Sequence, residues 1–210
     1  MSPAVVPAIP YVDAYRAHRQ SIGVLGTALP FLVSLGAWLL SGTPLRRSVS
    51  AYYHADTRDV FVGALFAIGF FLFSYVKYKP QHTIAGRLAG IFAIVVALFP
   101  TASDAAVAVP PRLYFPGVHG LFAALLFLTL TYFSLVLFPI TDQSSPAPRI
   151  RHRNLVYRIC GSTMLACIVL IAAINLLKIG LPHAVFCLET ILIEAFGFSW
   201  LIKGQAFLKD

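Results

Sequence analysis

The amino-acid sequence predicts an all-α integral membrane bundle of about six transmembrane helices, with both termini cytoplasmic. Three observations carry this. First, 59% of the 210 residues are hydrophobic and only 11% are charged, with a mean hydropathy of +0.81, whereas soluble domains carry about 25% charged residues. Second, the apolar residues fall into six runs of roughly the 20 residues a helix needs to cross the hydrocarbon core. Third, Lys and Arg are concentrated between alternate runs, as the positive-inside rule requires.

The spans are expected at Ser21–Leu40, Asp59–Val76, Ile84–Thr101, Phe115–Phe138, Tyr157–Leu177 and His183–Ile202. Pro30 marks a kink in the first span, since proline lacks the N–H that would bond one turn back. Spans two and three are joined by a short Lys-Tyr-Lys-Pro-Gln-His turn and should be antiparallel neighbours. Gly86 and Gly90 form a Gly-x-x-x-Gly pair on span three, a pattern that permits close helix contact. Residues 1–20 form a cytoplasmic segment; no cleavage site follows the first apolar run, so that run is read as retained. Residues 139–154 read as a flexible cytoplasmic linker with a basic end against anionic headgroups. The whole chain, 1–210, is one transmembrane domain.

Orientation follows from the cations. Eleven (Arg16, Arg19, Lys77, Lys79, Arg87, Arg149, Arg151, Arg153, Arg158, Lys203 and Lys209) fall on one side, and five (Arg46, Arg47, Arg58, Arg112 and Lys178) on the other. The richer side is cytoplasmic, which places both termini in the cytoplasm; the expected location is a bacterial inner membrane. The net charge of +8 is thereby explained by topology, and no basic run interleaved with aromatics points to nucleic acid. The partners expected are the lipid bilayer and a lipid-like ligand. Cys160, Cys167 and Cys187 all fall in apolar spans and read as small buried residues; no Cys-x-x-Cys occurs.

The acids and histidines gather on the outer side. Ser48 to Asp59 is the densest polar segment. If helical, it sets Ser50, His54 and Arg58 on one face and Asp56 and Asp59 on another. Asp59 also suits the positive N-terminus of span two. Thr101, Ser103 and Asp104 follow Pro100 at the end of span three, and His119 lies one turn into span four. Span six carries Glu189 and Glu194 within its apolar run. An intramembrane carboxylate faces the bundle interior and finds a partner; Arg58, Arg87 or a histidine are the candidates for Glu194. Histidines with carboxylates suit zinc or another divalent metal, and a bound water would then serve as nucleophile. No H-E-x-x-H, G-x-S-x-G or phosphate-loop motif is present.

The segments Ser-Ala-Tyr-Tyr-His, Arg-Asp-Val-Phe-Val-Gly, Ala-Leu-Phe-Pro-Thr, Arg-Asn-Leu-Val-Tyr-Arg and Glu-Ala-Phe-Gly-Phe-Ser-Trp-Leu-Ile-Lys-Gly together resemble a family of bacterial polytopic membrane proteins described as a domain of unknown function. The resemblance covers the chain from about Ser48 onward and implies class without mechanism. Ser50-x-x-x-His54 also resembles the Ser-x-x-x-His of the CREST superfamily of membrane hydrolases, which includes alkaline ceramidases and adiponectin-type receptors. That resemblance implies zinc-dependent hydrolysis of a lipid amide. The superfamily's late His-x-x-x-His has no counterpart here; span six offers Glu189 and Glu194.

The leading expectation is an outward-facing polar pocket acting as a metal-dependent hydrolase of a lipid-like substrate. His54 and His119 would ligate the metal, Asp59 or Asp104 would hold the water, and Ser50 would hydrogen-bond the oxyanion. A non-catalytic structural, sensory or partner-binding subunit is the alternative. Proton- or ion-coupled transport through Glu194 is the third reading.

Overall fold

In the computed structural model, residues 9–75, 79–102, 114–139 and 148–207 are described. They form six α-helices: α1 Ile9–Ser41, α2 Arg58–Phe73, α3 Pro80–Leu98, α4 Val118–Tyr132, α5 Pro148–Leu176 and α6 Ala184–Lys203. A 3-10 helix, Ser50–His54, precedes α2, and a π-helical turn, Phe133–Leu137, continues α4. No strand occurs among the described residues. Five of the helical segments are long and apolar enough to cross a membrane. The sixth, α2, has 16 residues and so reaches about 24 Å, short of the roughly 30 Å core. The chain is a multi-pass helical membrane protein.

Each helix packs against its neighbours in the chain, and α6 returns to α1, so the six close into a ring. Without a hydrophobic force between helices in lipid, close contact depends on small residues. The Gly86/Gly90 pair supplies it between α2 and α3. A Cβ at Gly90 would lie 2.6 Å from the Gly69 carbonyl oxygen, and one at Gly86 would lie 2.8 Å from that of Leu72. Where α1 meets α6, a Cβ on Gly197 would stand 2.8 Å from the Gly23 carbonyl oxygen.

The end of the ring that carries residues 42–57 is called the upper end here. The lower half of its interior is filled by aromatic side chains. Tyr75, Phe133, Phe138 and Trp200 are almost fully buried. The Trp200 ring lies 5.2 Å from those of Tyr75 and Phe138 and 5.4 Å from that of Phe133, within the range of favourable edge contacts. The π turn serves this plug: Phe138 N–H reaches back to the Phe133 carbonyl at 2.8 Å, and the widened turn lets Phe133, Leu137 and Phe138 all face inward.

Several expectations need correction. α1 starts well before Ser21. α5 starts at Pro148, a favourable first helical position, so the basic stretch 148–154 is helix and not linker. Cys160 and Cys167 are buried as expected, but Cys187 is exposed. The Ser48–Asp59 segment is not one helix: it makes a 3-10 turn, breaks at Ala55 with extended backbone, and restarts at Arg58. At three residues per turn, Ser50 and His54 point in different directions. Lys77, Asp104, Arg112, Asp142, Lys209 and Asp210 lie outside the described residues.

Candidate functional site

Above the aromatic plug lies a cavity of about 1090 Å³ whose lining extends to the upper end. Its depth is apolar: Leu29 of α1, Phe61, Leu65 and Ile68 of α2, Leu126 and Leu130 of α4, and Leu192 and Phe196 of α6. The ring of Phe196 stands 6.4 Å from that of Trp200, so the floor rests on the plug. Down α4 from His119 to Leu130, both of which line the cavity, the wall descends about 16 Å at 1.5 Å per residue.

The mouth is polar. Arg47, Ser48, Ser50, Thr101, His119, Asn175, Lys178, His183 and Glu189 line it. Residues 42–57 fold across the end of the ring and are held there by specific bonds. Glu189 Oε2 accepts the N–H groups of Val49 at 2.7 Å and Ser50 at 3.3 Å, a carboxylate at the start of the 3-10 helix where unpaired donors await one. Phe186 N–H donates to the Arg47 carbonyl at 2.9 Å. Thr57 Oγ1 donates to the Val33 carbonyl at 3.0 Å, tying the segment to α1.

Beyond Leu98 the chain leaves α3 as Phe99-Pro100-Thr101-Ala102, with carbonyls that no helix satisfies. Three basic side chains take them up. His119 Nδ1 donates to the Phe99 carbonyl at 2.7 Å, His54 Nε2 to that of Thr101 at 2.8 Å, and Arg47 to that of Ala102 at 2.8 Å.

The structure brings Ser50, His119 and Glu189 to one cavity wall system. The remaining candidates among the described residues do not line it. His54 is half-buried behind the mouth against Tyr53, with ring centres 5.4 Å apart. Asp56, Arg58 and Asp59 are exposed. Arg58 donates to Tyr53 Oη at 3.1 Å and lies 4.8 Å over its ring, so its partner is Tyr53 and not Glu194. Arg87 is exposed on α3. Glu194 Oε1 is buried with no hydrogen-bond partner among the described residues. Among those residues no three His, Cys, Asp or Glu side chains form a metal-holding group.

Sequence reasoning passed over Arg47, Ser48, Asn175 and Lys178 as lining residues. Lys178 and His183 bracket the turn between α5 and α6, and both have positive φ, 52° and 58°. No family model, curated protein or solved structure matches the chain.

Proposed function

We propose that the chain is a six-span inner-membrane protein, both termini cytoplasmic, that binds a lipid-like amphiphile in a chamber opening toward the outer leaflet. The observation that carries this is the division of the cavity: about 1090 Å³ with polar side chains at the mouth and apolar ones below. Ligand pockets for small molecules run to about 1,000 Å³, and an elongated apolar shaft with a polar collar suits an acyl chain with a headgroup. The upper end faces outward because the cation-rich segments lie at the other end. α2, too short to span alone, begins beneath the folded segment 42–57, which completes the crossing. The test is titration of the detergent-purified protein with a fluorophore-tagged acyl phospholipid. Saturation near one per chain, competed by untagged lipid, is expected. Non-saturable partitioning equal to that of empty micelles would remove the reading.

A second reading, metal-dependent hydrolysis of that amphiphile, is favoured by one observation. Each of His54 and His119 gives one ring N–H to a backbone carbonyl, the support a metal-ligating imidazole uses. Ser50 shares the cavity with His119. About one zinc per purified chain, lost in His54→Ala, would favour this reading. Absence of stoichiometric metal in chelator-free buffer would leave binding without hydrolysis.

A further inference from the structure

The turn between α5 and α6 is built against local preference. Ile179 N–H bonds the Ile174 carbonyl at 3.0 Å, the closure that ends a helix with a left-handed residue, usually glycine. Here that residue is Lys178, at φ 52°. Five residues on, the N-cap of α6 is also left-handed, and it is His183 at φ 58°. Small polar residues or glycine are preferred at such a position. His183 gives α6 no side-chain cap; its Nδ1 lies 3.4 Å from the Arg46 carbonyl. Two strained positions in one short turn thus carry basic side chains, and both line the chamber mouth. Strain of this kind persists where the surroundings or the function demand it.

The charge of the mouth is one-sided. Among the described residues, Arg47 and Lys178 line it together with His183, against one lining carboxylate. That carboxylate, Glu189, is committed to the Val49 and Ser50 N–H groups. Lys178 and His183 are exposed at the rim, above the apolar shaft.

We infer that the chamber selects an amphiphile with a phosphate-bearing headgroup drawn from the bilayer, the phosphate met at the mouth by Lys178 and His183, with Arg47 adding to the positive field. This rests on the reading that the chamber holds a membrane amphiphile. Lysine and arginine are the usual partners of phosphate oxygens.

The test uses three probes on the full chain in uncharged detergent: tetradecyl phosphate, tetradecanol and inorganic phosphate, each followed by calorimetric titration. Tetradecyl phosphate should bind about tenfold or more tighter than tetradecanol, as expected for charge-assisted hydrogen bonds, and inorganic phosphate should bind far more weakly than either. Lys178→Gln should bring tetradecyl phosphate close to tetradecanol, while Arg87→Gln, on the outside of α3, should leave the ratio unchanged. Equal binding of tetradecyl phosphate and tetradecanol overturns the headgroup inference and leaves the chamber reading standing. Inorganic phosphate binding as tightly as tetradecyl phosphate overturns the inference in favour of a free anion. Failure of both tetradecyl probes removes the chamber reading itself. Should Lys178→Gln fold poorly, Lys178→Gly, which suits the left-handed backbone, serves as the second variant.

Discussion

Glu189→Ala should destabilise the protein through the loop it holds, not through the membrane it crosses. Glu189 Oε2 receives two backbone N–H groups, from Val49 at 2.7 Å and Ser50 at 3.3 Å. Val49 is 1% exposed, so alanine leaves its donor without water or a partner. A hydrogen bond to a charged group contributes about 1.5–3 kcal/mol. The longer bond contributes at the weak end, so the loss is about 3 kcal/mol in all. For a chain of this size, each kcal/mol moves the midpoint by about 2–4 °C, which gives a fall of about 6–12 °C. Glu189→Gln keeps one acceptor oxygen and should lose less than half as much. Thermal unfolding of the detergent-purified variants, followed by circular dichroism, measures both. The loop should also loosen, seen as faster hydrogen exchange at residues 48–54 with the lower half of the ring unchanged. Glu189→Ala melting within a degree of the parent would refute the argument, and so would an increase in stability, which a burial-strained carboxylate kept for chemistry alone would give.

The remaining predictions concern the ring and its turn. Gly90→Leu places side-chain atoms where the backbone of α2 lies, 2.6 Å from the Gly69 oxygen, and should cost about 3 kcal/mol or more; an unchanged midpoint in detergent would show that α2 and α3 do not meet there. Lys178→Gly relieves a left-handed conformation and should leave stability unchanged or raise it by about 1 kcal/mol while weakening tetradecyl phosphate; a clear fall in midpoint would contradict the strain argument. Glu194→Leu removes a buried, unpartnered carboxylate oxygen and should be neutral or stabilising, as such replacements commonly are. A loss above about 1 kcal/mol would mean that Glu194 has a partner in the membrane.

The helical class was legible because scarcity of charge and the spacing of apolar runs are properties of the chain itself. Gly86 and Gly90 were legible too, since a small-residue pair has one common use in lipid. The start of α5 was not: Arg149, Arg151 and Arg153 argue for a solvated linker, yet a helix can carry them beyond the hydrocarbon core. The segment 48–59 misled because a helical wheel assumes 3.6 residues per turn, and a 3-10 turn with a break at Ala55 changes every direction. Ser50, His119 and Glu189 stood out in the sequence as polar groups near lipid, and the structure places them along one cavity. Their convergence was beyond spacing, because the order of helices around a ring is set by packing. Lys178 was passed over because a loop lysine looks ordinary until its φ of 52° is known.

The central claim, that the chamber holds an amphiphile, is tested most directly by filling it. Ala123 of α4 and Ala172 of α5 both line the cavity, and replacing both with phenylalanine places two rings in the apolar shaft. Native mass spectrometry of parent and double variant, released from the same mild detergent, would count retained amphiphile. The account predicts about one molecule bound per parent chain and none in a double variant that melts normally. Equal occupancy in the two proteins, or an empty parent chamber after purification in native membrane lipid, would contradict it.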